Sequence, residues 1–200
     1  MPLYPGTPAV CIKAIHTLGQ DGFREKQLIL TTHTGTHVDA PGHILEDGVG
    51  LDQMPLTRFY GTAVCLDVRA FAGHEIPAAF LAQRQKQWQN VEFLLLYSAF
   101  DRFWGDAAYF KDYPVLSLDA LHLLLENKRL KGLGFDTISP DVLNSTDFPI
   151  HHALLQAGLL IIENLRNLKS VADRYFRLSL FPLPVQQADG MPVRAVAFVE

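Results

Sequence analysis

Residues 33–43 of the chain read HTGTHVDAPGH. Glycine, proline and β-branched residues are dense in this stretch, and they disfavour a helix. His33 and His37 are therefore not the i, i+4 pair of a helical zinc-protease motif, which would also need a glutamate directly after its first histidine. His37 and Asp39 are two residues apart, so an extended strand places both side chains on one face. The stretch predicts a short strand, flanked by turns, that carries a cluster of potential metal ligands.

The composition of these ligands indicates which ion they suit. Gly35 lets the backbone turn so that His33 rejoins His37 and Asp39. Imidazole and carboxylate without thiolate suit zinc, manganese or cobalt. The alternative is a polar loop with scattered histidines, but the chain has 8 histidines in 200 residues, and three around an aspartate at this spacing should rarely arise by chance. We predict one or two divalent ions per chain, Zn²⁺ first, with Mn²⁺ or Co²⁺ as alternatives.

Composition sets broad limits on the kind of protein. Two hundred residues suggest a single domain spanning 1–200. The net charge of −4 argues against nucleic acid as the main partner, and we expect no membrane span because no run of 18 apolar residues occurs. The first residues lack the basic and apolar regions of a secretory signal, so we expect a cytoplasmic protein. Cys11 and Cys65 sit in apolar, strand-like runs and are predicted to be buried free thiols.

The chain alternates strand-like and helix-like segments without a repeat or a linker, which predicts an α/β fold with a mixed sheet. Strands are predicted at residues 9–17, 26–32, 61–68, 92–97, 131–136, 159–163, 177–183 and 193–199. Helices are predicted at residues 76–89, 118–128 and 149–157. Ser117 is expected to cap the second helix, whose apolar stripe contains Leu118, Leu121, Leu124 and Leu125.

A second pair of polar residues lies on the last predicted helix and the strand after it. A helix rises about 1.5 Å and a strand about 3.3 Å per residue, so the strand can retrace the helix if Gly158 turns the chain. His151 would then approach Glu163. A glutamate at the end of the apolar run LLIIE is costly to bury alone. The alternative is that Glu163 emerges into solvent at the sheet edge.

The sequence also carries a family resemblance. Residues 33–43 resemble the signature His-x-Gly-Thr-His-x-Asp-x-Pro-x-His of the cyclase family of metal-dependent hydrolases, which includes bacterial kynurenine formamidases and isatin hydrolases. Residues 151–165 (HHALLQAGLLIIENL) resemble the downstream motif of the family, and residues 4–8 and 103–114 resemble further segments. The resemblance implies a swivelling β/β/α type of fold and at least a homodimer. It also implies that His151 and Glu163 complete the metal site.

The resemblance implies a reaction as well. Family members hydrolyse a non-peptide C–N bond, and an aryl formamide such as N-formylkynurenine is the substrate we expect, with a metal-activated water as the nucleophile. His43 is then the proton shuttle, with a role as a fourth ligand as the alternative. Asp39 is the residue that can bridge two metal ions. Rival hypotheses are an isatin-like cyclic amide hydrolase and a metal-binding module without turnover.

Some residues near the motifs are assigned supporting roles. Tyr4 and Trp104 are predicted to line a pocket for a flat substrate, although aromatic residues are more often part of a core. Thr34 and Thr36 are expected to hydrogen-bond ligand carboxylates or nearby waters. The polar residues of segment 136–141 are expected to cap and orient neighbouring loops rather than bind metal.

Overall fold

A computed structural model describes residue 1 and residues 3–199 of the chain. The strands are β1 (Cys11–His16), β2 (Glu25–Ile29), β3 (His37–Asp39), β4 (Tyr60–Asp67), β5 (Glu75–Ile76), β6 (Phe93–Tyr97), β7 (Val115–Leu116), β8 (Gly132–Phe135), β9 (Leu160–Glu163), β10 (Tyr175–Ser179), β11 (Gly190–Pro192) and β12 (Val196–Phe198). The α-helices are α1 (Leu18–Asp21), α2 (Ala78–Gln83), α3 (Gln85–Trp88), α4 (Leu118–Leu125) and α5 (Pro149–Gln156).

Eight of the described strands form one sheet in the order β11-β3-β9-β8-β6-β4-β10-β12. The central strands β4, β6, β8 and β9 run parallel, whereas β3 and β11 at one end and β10 and β12 at the other pair antiparallel. The run FLLLY of β6 is buried on both faces, as continuous apolar strands in parallel sheets are. The predicted α/β class with a mixed sheet is confirmed.

Each face of the sheet packs against its own apolar cluster. On one face, Leu94 and Leu96 of β6 pack in a cluster with apolar residues of α2, α4 and α5. Leu121 and Leu124 of α4 belong to this cluster. Leu95 and its alternate neighbours face the other side, where loops and 3₁₀ segments cover the sheet. The alternation follows from the two-residue period of a strand. Within the described part of the chain, no helix is both long and apolar enough to span a membrane.

The N-terminal strands lie apart from the main sheet. β1 and β2 form a two-stranded antiparallel hairpin whose residues are almost all exposed. Cys11 is exposed in this hairpin, so the prediction of a buried thiol there is wrong, while Cys65 is buried in β4 as expected. β2 ends at Ile29, three residues before the predicted end of that strand.

Two features of the helices differ from the predictions. The helical segment at 76–89 divides into α2 and α3 at Arg84. Ser117 caps α4 as expected, because its hydroxyl accepts from the amide of Ala120. Leu118 is 56% exposed and lies outside the apolar stripe, because it occupies the first position of the helix on its outer face.

Asp136 joins the carboxyl ends of two neighbouring parallel strands. Asp136 directly follows β8, and Ser98 directly follows β6. The backbone amide of Ser98 donates to both carboxylate oxygens of Asp136, at 2.9 and 3.1 Å. The hydroxyl of Ser98 donates to the same carboxylate. Both residues are buried, and burial raises the pKa of Asp136 to about 6 despite these hydrogen bonds. The pair ties the two strands at the edge where the loops around the cavity begin.

Replacement of Asp136 by alanine should lower the free energy of unfolding by about 2–3 kcal/mol, because the buried amide and hydroxyl of Ser98 lose their acceptor. Urea denaturation monitored by circular dichroism measures this change. The matched variant Ser98→Ala removes one hydroxyl donor and keeps the amide contact, so its loss should be about 1 kcal/mol. Equal stability of Asp136→Ala and the wild type would contradict this role.

Candidate active site

The site is built on the antiparallel pair β3 and β9. His37 lies directly opposite Glu163 in this pair, and Asp39 lies two residues further along β3 on the same face. Nε2 of His37 is 3.2 Å from Oδ1 of Asp39 and 3.4 Å from Oε2 of Glu163. All three side chains are buried. The prediction that His37 and Asp39 share one face of a short strand is confirmed.

His37 is held by a backbone turn. Its Nδ1 lies 2.8 Å from the carbonyl oxygen of Gly35, to which it donates. Gly35 has a φ of 67°, a left-handed conformation that glycine adopts without strain. Because Nδ1 carries the proton, Nε2 presents its lone pair to the two carboxylates.

His151 enters the site from the first turn of α5. Asp141 accepts from the backbone amides of Ile150 and His151, at 2.9 and 3.0 Å, and lies 2.6 Å from Nδ1 of His151. Nε2 of His151 therefore points at Glu163 Oε1, 3.3 Å away, with Asp39 Oδ2 at 4.0 Å. The segment 136–141 caps and orients its neighbours, as predicted.

His33 approaches Asp39 from the loop before β3. Its Nδ1 is 2.8 Å from Oδ1 of Asp39, and its Nε2 is 3.0 Å from Oδ2 of Asp189. Sequence reasoning missed Asp189, whose only local signal is an Asp-Gly pair that is typical of a turn. It reaches the site because β11 pairs with β3.

Three buried atoms at the centre of the site have no hydrogen-bond partner among the described residues. They are Nε2 of His37, Oδ2 of Asp39 and Oε1 of Glu163. Unpartnered buried polar atoms are costly, and a ring of acceptors around one point is the environment of a cation. Three overlapping sets have ligand atoms that lie within 4.8 Å of one another. They are His33, His37 and Asp39; Asp39, His151 and Glu163; and His33, His43 and Asp189. The nitrogen and oxygen donors fit a divalent metal.

The pKa values of the site residues reflect the negative charge of two neighbouring carboxylates, Asp39 and Glu163. Burial opposes ionisation of Asp39, but His37 and His33 hold its pKa well below the usual value. Burial and the charge of Asp39 raise the pKa of Glu163. Burial opposes protonation of His33 and His151, yet their acidic partners raise their pKa values to about 9 and about 10. These shifts show that the site favours positive charge next to Asp39 and Glu163.

His43 lies next to His33 and Asp189, with which it forms the third set, and outside the two sets that contain Asp39. Its ring centroid is 3.9 Å from that of His33 and 5.8 Å from that of His151. Its Nδ1 is 3.6 Å from Oδ2 of Asp189, beyond hydrogen-bond distance. Burial, with the charges of His33 and His151, lowers the pKa of His43 to about 4 although Asp39 opposes the shift. His43 therefore carries an uncharged imidazole at the edge of the cluster.

The cluster opens into a cavity of about 490 Å³. Its lining is largely apolar or aromatic beyond the charged cluster, and consists of Tyr4, Thr7, His33, His37, His43, Ile44, Ile138, Ser139, Phe148, His151, His152 and Glu163. Tyr4 lies where the sequence predicted it. Trp104 does not line this cavity: it packs on Tyr109, with ring centroids 5.9 Å apart, and under the guanidinium of Arg166.

Three other residues near the motifs have contacts that sequence reasoning did not predict. Phe148 takes a φ of 42°, which is unusual for a bulky residue, and places its ring 5.8 Å from that of His151. Thr36 donates from its hydroxyl to the carbonyl oxygen of Asn164 at 2.6 Å, and Thr34 pairs with the hydroxyl of Thr31. The expectation that these threonines contact ligand carboxylates is wrong, because both hydroxyls are engaged in tying loops together.

Comparison with known proteins gives sequence matches over most of the chain. The Cyclase family model matches residues 1–142. A kynurenine formamidase of Salinibacter ruber is 37% identical over 173 residues, covering 84% of this chain and 77% of that protein. A kynurenine formamidase of Bacillus cytotoxicus is 31% identical over 170 residues, covering 85% of this chain and 78% of the relative.

Solved structures match the whole fold. An isatin hydrolase bound to the product analogue thioisatinate superposes with a TM-score of 0.87 at 24% identity, covering 100% of this chain and 86% of that one. Isatin hydrolase A from Ralstonia solanacearum superposes with a TM-score of 0.85 at 25% identity, covering 97% of this chain and 82% of that one. With the matching signature and fold, this chain belongs to the Cyclase family.

Proposed function

We propose that this protein hydrolyses the amide bond of a small N-aryl formamide at a metal centre. The observation that carries the proposal is a set of buried, unpartnered acceptors at the end of an apolar cavity. Buried acceptors need a cation, and an apolar cavity of this size suits a small aromatic ligand. The sequence similarity to kynurenine formamidases supports the same reaction class.

We assign the metal ligands to two overlapping groups. His33, His37 and Asp39 would hold one ion, and Asp39, His151 and Glu163 a second, so that Asp39 is shared. Zn²⁺ is the ion we propose, because imidazole and carboxylate donors suit it, with Mn²⁺ and Co²⁺ as the ions to compare. A bound divalent ion supplies Lewis acidity, which polarises a carbonyl and makes water nucleophilic near neutral pH.

The protein's own residues position the substrate and move its proton. His43 stands at the edge of the cluster with an uncharged imidazole, where it can accept a proton and deliver it to the leaving nitrogen. Tyr4, Ile44 and Phe148 line the cavity and exclude water from the aryl ring. Among the described residues that line the cavity, none is a lysine or arginine, which favours the uncharged aryl part of the substrate inside it.

A substrate panel tests the reaction class. Metal-loaded protein should release formate and the free amine from formanilide and from N-formylkynurenine. Isatin is the comparison substrate, because the similar folds include isatin hydrolases. Ring opening of isatin without formamide turnover would replace the proposed substrate by a cyclic amide. Metal binding without turnover of any of the three would favour a non-catalytic module.

Metal analysis tests the proposed ligands. Purified protein supplied with zinc or manganese should bind one or two divalent ions per chain. Asp39→Ala should lose more metal than His33→Ala or His37→Ala, because only Asp39 belongs to both groups. Elemental analysis and titration with a chelating dye measure the content.

The matched control is His152→Ala, which alters an imidazole next to His151 that lines the cavity but lies outside both ligand groups. This variant should keep the full metal content. Full metal content in Asp39→Ala, alongside loss in the two histidine variants, would contradict the shared position of Asp39.

His43→Ala should lower the turnover rate by roughly 10²- to 10⁴-fold, the usual worth of general acid–base catalysis, while the metal content stays unchanged. Steady-state kinetics with formanilide and elemental analysis of the same preparation measure both quantities. If metal and activity are lost together, His43 is a ligand. If both are retained, the proton leaves by another route.

We also propose that the chain forms a homodimer or a larger homo-oligomer. Ile12 and Leu28 are a cross-strand pair in the β1–β2 hairpin, and they are 62% and 60% exposed. A two-stranded hairpin is marginally stable alone, and its apolar residues favour a covering partner. Tyr4 and Thr7, just before the hairpin, line the cavity. A second copy on the hairpin would therefore lie next to the cavity rim, and two-fold symmetry is the commonest arrangement.

The paired variant Ile12→Lys with Leu28→Lys should convert the oligomer to a monomer, because it places two charges on the surface proposed to be covered. Light scattering after size-exclusion chromatography measures the mass. Leu118→Lys is the control, since Leu118 is comparably exposed on α4, away from the hairpin. A monomeric wild type at micromolar concentration would refute the proposal.

We propose a cytoplasmic location for the protein. Cys11 is exposed and unpaired and Cys65 is buried and unpaired in the described structure. An exposed free thiol persists most readily in a reducing compartment.

A further inference from the structure

The ring of His33 is enclosed on several sides by residues outside the two ligand groups proposed above. Asp189 Oδ2 lies 3.0 Å from Nε2, at the end of the ring opposite Asp39. The ring of His43 stacks on one face at a centroid distance of 3.9 Å. Gly190, the next residue after Asp189, pairs with Asp39 across β11 and β3. His33 is thus placed by a segment that lies more than 150 residues away in sequence.

Gly190 leaves the space that the His33 ring occupies. A Cβ atom at position 190 would lie 2.5 Å from Cε1 and 2.8 Å from Nε2 of His33. Contacts this short do not occur between non-bonded atoms, so any side chain here would push the ring out of place. The absence of a side chain at 190 is therefore required by the position of His33.

Asp189 is itself held by the chain it lies against. Its carbonyl oxygen accepts from the amide of Ala40 at 2.8 Å. One residue earlier, the carbonyl oxygen of Ala188 accepts from the amide of Leu51 at 2.9 Å. Because the backbone on both sides is tied down, the carboxylate of Asp189 has a defined position relative to His33.

We infer that Asp189 is a positioning residue of the metal centre, which fixes the His33 tautomer that can bind a metal through Nδ1. An ionised carboxylate can only accept, so Nε2 of His33 must carry the proton when it bonds to Asp189. In the uncharged ring, Nδ1 then presents a lone pair to Oδ1 of Asp39 at 2.8 Å. Two acceptors at this distance repel each other unless a proton or a metal ion lies between them.

The other two imidazoles of the centre are arranged in the same way. The far nitrogen of His37 donates to the carbonyl oxygen of Gly35, and that of His151 contacts Asp141. Each ring is therefore held by an acceptor on the side away from the cluster, a pattern that orients metal-binding histidines and strengthens them as ligands. Asp189 supplies this acceptor for His33. The inference rests on the proposed metal centre and adds a residue to it.

The experiment measures affinity for each ion in metal-free protein titrated with Zn²⁺ against a chelating dye. Asp189→Ala should weaken the binding of one ion by roughly 10- to 100-fold, the usual cost of losing such an outer partner. The second ion and the stoichiometry at saturation should be unchanged. Asp189→Asn keeps an oxygen that can accept from Nε2, so its affinity should fall between those of Asp189→Ala and the wild type.

The matched control is Asp52→Ala. Asp52 accepts from the amide of Gln187 at 3.0 Å, so it tethers the same segment without touching an imidazole. This variant should retain wild-type affinity for both ions. The melting temperature of each metal-free variant should stay close to that of the wild type, which separates positioning of His33 from general loss of structure.

The outcomes are distinguishable from failure of the proposed function. A wild type that binds no metal would refute the metal centre itself. If the wild type binds metal, unchanged affinity in Asp189→Ala, or equal weakening in Asp52→Ala, overturns the role of Asp189 alone. Loss of one whole ion at saturation in Asp189→Ala would make Asp189 a direct ligand and would also overturn the inference.

Discussion

The architecture around the site depends on the burial of two carboxylates, Asp39 and Glu163, on neighbouring strands. A buried charge without a partner costs several kcal/mol, and two like charges close together cost more. Three imidazoles surround them, and His37 sits directly opposite Glu163. Each imidazole uses one ring nitrogen on an acceptor outside the cluster and turns the other towards these carboxylates. The balance of charge is therefore completed only by protons or by cations, and this requirement makes a metal centre the natural occupant of the site.

The sheet holds these two carboxylates close together without leaving backbone groups unsatisfied. β3 is only three residues long, but it pairs on one side with β9 and on the other with β11, so its backbone groups are satisfied. The two-residue period places His37 and Asp39 on the face of α5, which carries His151, while Val38 packs into the opposite core. One short strand thus contributes to the apolar core and to the site at the same time.

Acceptors outside the cluster orient its three imidazole rings. The carbonyl oxygen of Gly35 and the carboxylates of Asp141 and Asp189 each contact the far nitrogen of one imidazole. Asp141 also accepts two amides at the start of α5, so the residue that begins the helix also aims His151. Fold and site share these hydrogen bonds, so loss of Asp141 would weaken both the start of α5 and the placement of His151.

The sequence by itself determined the α/β class and brought together the residues of the proposed ligand groups. Strand alternation over His37 and Asp39, and the helix-to-strand return from His151 to Glu163, are local properties of the chain. It did not determine that Asp189 contacts His33, since that contact joins residues 156 positions apart and needs the pairing of β11 with β3. Nor did it separate Tyr4, which lines the cavity, from aromatic residues that pack in the core. Local periodicity records which face a side chain takes, but only tertiary packing decides what that face meets.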